Sequence, residues 1–241
     1  MIADPLGVAM RDYQRGGLRG DCRYVDGADT TDGHIEANYF RDTDEMADEQ
    51  AELLLSLDGP VLDVGCGSSQ YALFYQRHDV PVTAFDVSPG AVETARERGV
   101  EDAQVADMFE MPYPDDEFSS LLANGTQLSL GGSIAGIRSL LAEFARVTTS
   151  DATAIVDTYD PSELDDADEM LGYRPDPRGG VAHRAFHFEY ERDQERLVGR
   201  TLHFLLVSPE RLRDACVGTP WSVETVRYND SGVYYKAVLE K

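Results

Sequence analysis

The run Pro60 to Gln76, PVLDVGCGSSQYALFYQ, sets Asp63, Gly65 and Gly67 where a compact apolar stretch gives way to a helical pattern. Gly65 and Gly67 let the backbone approach a ligand with no Cβ in the way, and the N-terminus of the following helix favours an anionic group. Taken alone, the pattern is equally that of a plain tight turn. Asp86 ends the next apolar run, 21 residues after Gly65. That is where an acidic residue meets ribose hydroxyls in nucleotide-binding βαβ units. Its alternative role, capping a helix, is already filled by Ser88. Asp107 and Met108 close a third run, in a position to accept from an adenine amino group and to cover its ring. The three positions converge on one adenosine-sized site. A dinucleotide fingerprint would carry a third glycine where this chain has Gln70, after Ser69. The loop therefore suits a nucleoside without a diphosphate.

Alternating strands and helices must hold these residues. Strands are predicted over 61–64, 81–87, 102–107, 118–124 and 152–159. Helices are predicted over 69–77, from the Ser88-Pro89 cap to Arg98, and over 133–147, where Ile134, Ile137, Leu140, Leu141 and Phe144 recur at helical spacing. This rhythm predicts an α/β fold, a mostly parallel sheet covered on both faces. A further helix is read before it, with Thr43 as N-cap, Asp44 and Glu45 in its first turn and its end near Leu57. Residues 1–42 read as a polar, irregular segment with one short helix, and only His34 to Phe40 carries aromatic weight. Residues 160–182 are acidic and rich in Pro and Gly, with one helical turn around Ser162 to Leu171. Residues 183–191 and 196–207 alternate as a β-hairpin. After a helix capped at Ser208, residues 221–228 and 232–240 form a closing antiparallel pair. The expected division is an N-terminal cap at 1–42, a core of 43–159 and 207–241, and an insert at 160–206 that shapes a substrate pocket.

The chain has 241 residues, 45 acidic and 21 basic, and only Lys236 and Lys241 are lysines. Nineteen arginines against two lysines, on so acidic a chain, point to a halophilic protein. At molar salt the Debye length is about 3 Å, so crowded carboxylates repel each other little. A net charge of -24 argues against a nucleic-acid partner, whose binding rests on phosphate neutralisation. No apolar run approaches the roughly 20 residues a membrane span requires, and no signal peptide is read. Cys22, Cys66 and Cys216 are odd in number and form no CxxC pair, which predicts neither a disulfide framework nor a structural metal. A reducing cytoplasm is the expected location; oligomeric state is not readable.

In order and spacing, VLDVGCGSSQYAL, VTAFDVSPGAVETARERG, AQVADMFEMPYPDDEFSSLLANGT and SLLAEFARVTTSDATAIVDT resemble the class I S-adenosylmethionine-dependent methyltransferases, across about residues 43–159. The closing helix and strand pair resemble that family's ending too. The resemblance implies a three-layer Rossmann-like sandwich, a mostly parallel seven-stranded sheet with an antiparallel edge strand, carrying here a small inserted β-hairpin subdomain. It implies S-adenosyl-L-methionine as cofactor, S-adenosyl-L-homocysteine as product and a small-molecule methyl acceptor. Asp63, Gly65 and Gly67 would line the methionine moiety, Asp86 would take the ribose hydroxyls, and Val87 would border the adenine. Asp107 and Met108 would flank the ring, with Asn124 beside the reacting methyl. Ser69 departs from the family, where glycine is more common.

The acceptor side is less defined. His183, Ala185, His187 and Glu189 share one face of a strand, so His183 and His187 could serve as bases, face a substrate or lie on a solvated face. About 13 Å separates residues four apart on a strand, too far for the two histidines to share an ion without a bend. His203 lies on the partner strand. Tyr39, Phe40 and Tyr173 could form an aromatic lid, and Thr126 and Gln127 follow the fourth strand, where helix capping explains them equally. None is an obligatory nucleophile, and a sulfonium methyl needs mainly in-line positioning. The alternatives are a cofactor-binding regulatory module without turnover and a nicotinamide-dependent oxidoreductase. Gln70 and the lack of a second dinucleotide-binding half count against the latter.

Overall fold

The fold follows from where local signals start and stop each element. It is seen in a computed structural model that describes residues 3–43, 46–164 and 170–241. The chain opens with α1 (Pro5–Gln14), whose N-cap Asp4 accepts a hydrogen bond from Gly7 N at 3.0 Å. A hairpin of β1 (Cys22–Asp26) and β2 (Asp29–Asp32) follows, then the short α2 (Ile35–Tyr39). The N-terminal segment is thus largely regular, contrary to the irregular segment with one short helix expected, and carries both α1 and α2.

The next helix, α3 (Asp48–Leu55), is capped by Ala47 rather than Thr43. The Thr43 hydroxyl instead receives a hydrogen bond from Arg77. Asp44 and Glu45 lie outside the described residues, and Asp48 and Glu49 supply the acidic first turn. Then come β3 (Val61–Val64), α4 (Gln70–Arg77), β4 (Val82–Asp86), α5 (Pro89–Glu97), β5 (Ala103–Val105), β6 (Phe118–Ala123), α6 (Ile134–Val147) and β7 (Thr148–Tyr159). Ser88 and Ser133 cap α5 and α6 through Ala91 N and Gly136 N, as their positions predicted. The helical turn expected around Ser162 to Leu171 falls largely on residues 165–169, outside the described residues.

The chain closes with β8 (Tyr173–Pro175), β9 (Val181–Arg192), β10 (Glu195–Val198), β11 (Leu202–Val207), α7 (Pro209–Cys216), β12 (Ser222–Tyr228) and β13 (Tyr234–Glu240). A seven-stranded sheet runs β12-β13-β7-β6-β3-β4-β5, parallel except for β13, which is antiparallel to both of its neighbours. Leu62, Val64, Leu121 and Val156 point to one face and pack under α6 and α7. Val61, Leu122 and Ile155 point to the other, against Leu53 and Leu54 of α3 and Phe74 and Tyr75 of α4. Helices therefore cover both faces, a three-layer α/β sandwich.

The expected hairpin exists but belongs to a second, larger sheet. Strand β9 pairs antiparallel with β1, β8, β10 and β11, and β1 also pairs with β2. The hairpin turn at Asp193-Gln194 has φ of 51° and 74°, the primed geometry that matches strand twist. Ala182, Phe186, Phe188 and Tyr190 of β9 are buried in one cluster with Ala9, Met10, Ile35 and Ala91. The N-terminal segment and the 160–206 stretch thus build one sheet, held to α5 by α1. At that junction a Cβ on Gly90 would sit 2.5 Å from Gly7 backbone, so the two helices meet glycine to glycine.

Candidate functional site

The chain order reverses beside β3, which pairs with β4 on one side and β6 on the other. In open α/β sheets such a switch point opens a crevice outside the strand carboxyl ends. The tips of β3, β4 and β5 are adjacent there, so Asp63, Asp86 and the Asp107–Met108 pair are neighbouring strand ends. Gly65 and Gly67 take φ of +64° and +55°, the left-handed region natural to glycine. Asp86 Oδ2 accepts from Gly67 N at 2.9 Å and Oδ1 from Ser88 N at 2.8 Å. One carboxylate therefore fixes the glycine loop and the entry to α5 together. Asp107 is exposed and turns its own loop through Phe109 N, at 3.0 Å, while Met108 packs on the core. Val87 is 52% exposed at the rim.

Asp63 is the anomaly. It is 2% exposed, yet its Oδ2 is buried with no hydrogen-bond partner among the described residues. Burial, with the charge of Asp86 added, pushes its carboxyl up to about 7 against a hydrogen bond from Ala72 N. Burial also raises the Asp86 carboxyl, opposed by the Ser88 and Gly67 amides. A buried carboxylate oxygen facing nothing is a seat for a cation.

Past the tip of β6, Asn124 bridges two tyrosine- and lysine-bearing elements. Its Nδ2 donates to the Tyr71 hydroxyl at 3.1 Å, and its Oδ1 receives Lys236 Nζ. Lys236 stands directly opposite Asp157 across β13 and β7, with Nζ 3.3 Å from Asp157 Oδ2. Asp157, buried, also accepts from Gly125 N at 2.9 Å, from Thr126 N at 2.6 Å and from the Tyr234 hydroxyl. Thr126 sits at φ 62°, so this carboxylate holds a strained turn. Sequence reading placed Asn124 and Thr126 here but missed Tyr71, Asp157, Tyr234 and Lys236. The rarity of lysine in this chain was the available signal for the last.

The second sheet roofs this edge. The Tyr39 ring lies 3.3 Å from where a Cβ on Gly67 would be, and the Gln127 amide 2.4 Å from one on Gly65. Both side chains therefore occupy the space over the two glycines. The Tyr39 carbonyl receives Ser68 Oγ, and its phenol bonds Tyr24 of β1. Phe40 lies 5.0 Å under the Arg98 guanidinium. Tyr173 of β8 stands opposite Arg184 of β9. His183 and His187 are not brought to the site. They alternate onto the face opposite Phe186 and Phe188, where His183 meets Asp176 and His187 meets Glu189, each at 3.1 Å. His203 pairs with Ala185 on the same outward register. Among the described residues, no group of three or more His, Cys, Asp or Glu could hold a metal.

Residues 62–156 match the family model described as a methyltransferase domain. Over 98% of this chain and 94% of the other, a solved S-adenosylmethionine-dependent methyltransferase of Bacteroides fragilis, in complex with S-adenosylhomocysteine, superposes with a TM-score of 0.79 at 21% identity. Residues 62–156 thus carry a methyltransferase domain, on a chain with the fold of the solved S-adenosylmethionine-dependent methyltransferases. The coverage takes in the N-terminal segment and the second sheet. The CcbJ methyltransferase of Streptomyces caelestis covers less, 79% of this chain and 87% of that one, with a TM-score of 0.60 at 14% identity. In sequence, the uncharacterized methyltransferase YodH of Bacillus subtilis is 31% identical over 97 residues. That match spans 38% of this chain and 40% of YodH.

The residues present fit S-adenosylmethionine. The partnerless Oδ2 of Asp63 could take an ammonium, and a carboxylate offers about four lone-pair sites, of which the Gly67 and Ser88 amides use two on Asp86. The methyltransferase core also predicts its own weak point. Gly65→Ala adds a Cβ at φ +64° against Gln127, costing about 1–2 kcal/mol by strain alone. The variant is expected to melt about 2–8 °C lower and to lose the stabilisation by S-adenosylhomocysteine, read by thermal melting with and without it.

Proposed function

We propose that this protein transfers a methyl group from S-adenosylmethionine to a small or medium-sized acceptor. One observation carries the reading: a buried aspartate oxygen without a partner, at the tip of β3, beside a glycine loop tied down by a second carboxylate. Asp63 takes the methionine ammonium while Gly65 and Gly67 admit the chain of that moiety. Asp86 receives the ribose hydroxyls on its remaining lone pairs. Val87 borders the adenine, Asp107 and Met108 flank it, and Asn124 lies beside the reacting methyl.

When bound, the cofactor would supply an activated sulfonium methyl to an acceptor lone pair, with the electron pair of the broken C–S bond left on sulfur. The chain's own task is positioning, which in favourable systems supplies about 7–11 kcal/mol. Tyr39 and Gln127, closing over the loop, exclude water. The Asn124–Lys236–Asp157 network sets the wall between β6 and β13. Segments 1–42 and 160–206 form the acceptor pocket above the core of 43–159 and 207–241. No helix among the described residues is long and apolar enough to cross a membrane, and Cys22, Cys66 and Cys216 are free. These features, with a charge of -24, support a halophilic protein acting in a reducing cytoplasm.

Melting in high salt with S-adenosylmethionine, S-adenosylhomocysteine or NAD tests the reading. At one hundred times its dissociation constant a ligand adds about 2.7 kcal/mol, an expected rise of roughly 5–11 °C with the first two. A rise with NAD alone overturns it. Labelled methyl transfer into a metabolite extract then separates an enzyme from a module that binds without turnover.

A further inference from the structure

Arg184 lies on the inner face of β9, and no reading so far uses it. Many arginines pair with carboxylates, as Arg15 does with Glu97 and Arg146 with Glu143 and Asp115, while Arg96 and Arg138 bond backbone carbonyls. The half-buried Arg98 is taken up by the Ser68 carbonyl and hydroxyl at 2.7 and 2.9 Å. Among the described residues the Arg184 side chain makes one hydrogen bond, from Nε to the Leu171 carbonyl at 2.9 Å, and no ion pair. The guanidinium rests on the Phe186 ring at 4.7 Å and near the Tyr24 ring at 6.0 Å. Burial pulls its pKa down, and the phenols of Tyr159, Tyr24 and Tyr39 are the groups that face it electrostatically.

Those tyrosines locate the guanidinium. Tyr39 covers Gly67 in the glycine loop, and Tyr24 is hydrogen-bonded to Tyr39. Tyr159 is the last residue of β7 and lies 5.1 Å from the Tyr234 ring, which leads to Asp157 and Lys236. Arg184 therefore looks from the roof into the space above the tips of β3, β6 and β7. A guanidinium has five N–H donors in a planar fork suited to bidentate oxyanions. Arg184 is half-buried, so its guanidinium is partly withdrawn from water, at a cost that an anionic partner would offset. Among the described residues, in a chain so rich in aspartate and glutamate, no carboxylate takes that place.

We propose that Arg184 is the anion anchor of the acceptor site: the methyl acceptor carries a carboxylate or phosphate that pairs with this guanidinium. The proposal rests on the methyl-transfer reading above. An oxyanion whose lone pairs are engaged by the fork is a poor nucleophile, so the methyl goes to another atom of the same molecule. Arg184 then acts as a specificity residue that orients the acceptor beneath the roof.

The test uses full-length protein saturated with S-adenosylhomocysteine, titrated at constant ionic strength with benzoate, phenyl phosphate, benzamide and benzyl alcohol. At ten times its dissociation constant a bound probe raises the midpoint by about 3–6 °C. Benzoate or phenyl phosphate is expected to do so, and the stronger of the two names the acceptor's anion. The two neutral probes are expected to do nothing. Arg184→Met should lose the anion response while keeping its stabilisation by S-adenosylhomocysteine. If that variant fails to fold, Arg184→Lys, which keeps the charge but not the fork, should need at least about fivefold more anion. Equal responses to benzoate and benzamide, no response to either anion, or an unchanged anion response in the variants would overturn the proposal. A failure of the methyl-transfer reading shows separately, as no stabilisation of the parent by S-adenosylhomocysteine.

Discussion

Asp86→Ala is expected to abolish the stabilisation by S-adenosylhomocysteine and to lower the melting midpoint of the ligand-free protein by about 4–12 °C. The two effects have one origin. Both Asp86 oxygens accept from backbone amides, Gly67 N and Ser88 N. Removing the carboxylate leaves those donors without an acceptor. Hydrogen bonds to charged groups contribute about 1.5–3 kcal/mol each. The burial that raises this carboxyl's pKa offsets part of that, leaving roughly 2–3 kcal/mol. A ribose-binding residue without structural work would give a ligand-free melt close to the parent's. The measurement is a pair of thermal melts, each with and without ligand. A variant still stabilised by S-adenosylhomocysteine would remove Asp86 from the ribose site, whatever its own midpoint.

That dual role marks what sequence could and could not provide. The position of Asp86 at a strand end was legible, because a period-two apolar run and a Ser-Pro helix start bracket it. Its bond to Gly67 was not, since it joins residues 19 apart through a loop shape fixed only by positive φ. Helices α5 and α7 were found for the same local reason, a serine cap, and α6 through the helical spacing of its apolar residues. The cap Asp4 with Pro5 is an equally plain signal and was passed over inside a polar segment. What no local signal carries is the pairing of β1 with β9, for example Tyr24 with Phe188. Strand β2, Asp-Thr-Thr-Asp, is exposed throughout and has no apolar alternation to reveal it.

The histidines show the limit most sharply. Alternation along β9 correctly grouped His183, Ala185, His187 and Glu189 on one face, but alternation alone does not say which face is inside. The structure turns that set outward and turns Ala182, Arg184, Phe186 and Phe188 inward, against α1 and α2. The decision lies in contacts with the N-terminal segment, about 150 residues away in sequence. Lys236 was hidden differently: it lies on an antiparallel strand at the sheet's end, and only the cross-strand register with Asp157 brings it to Asn124.

Asp63→Asn is expected to stabilise the ligand-free protein at pH 8 while destroying cofactor binding. The carboxyl has an ordinary value of 3.8 and is pushed to about 7 in the fold, chiefly by burial. Between those values the folded state holds a proton that the unfolded chain has released. Stability from this group is therefore lost as pH rises from about 4 to 7, and above 7 the full burden of a buried charge remains, on the order of 4 kcal/mol. Asparagine carries no charge, so the variant should melt several degrees above the parent at pH 8, and the gap should close by about pH 4. Comparing variant with parent cancels the acids that behave oppositely, such as Glu143, held low by Arg146. Ligand reverses the balance. An ammonium seated on Oδ2 favours the ionised form, so the parent should bind S-adenosylhomocysteine more weakly as pH falls below 7, by up to about tenfold per unit. The variant should lose at least about thirtyfold in affinity, the cost of removing one member of a buried charge pair, and with it that pH dependence. Melts and binding isotherms between pH 5 and 8 read all of this. A variant less stable than the parent at pH 8 and unchanged in affinity would reduce Asp63 to an acceptor for Ala72 N. The expected result instead makes this aspartate a charge held out of water, at a cost to the empty fold, until a cation arrives to neutralise it.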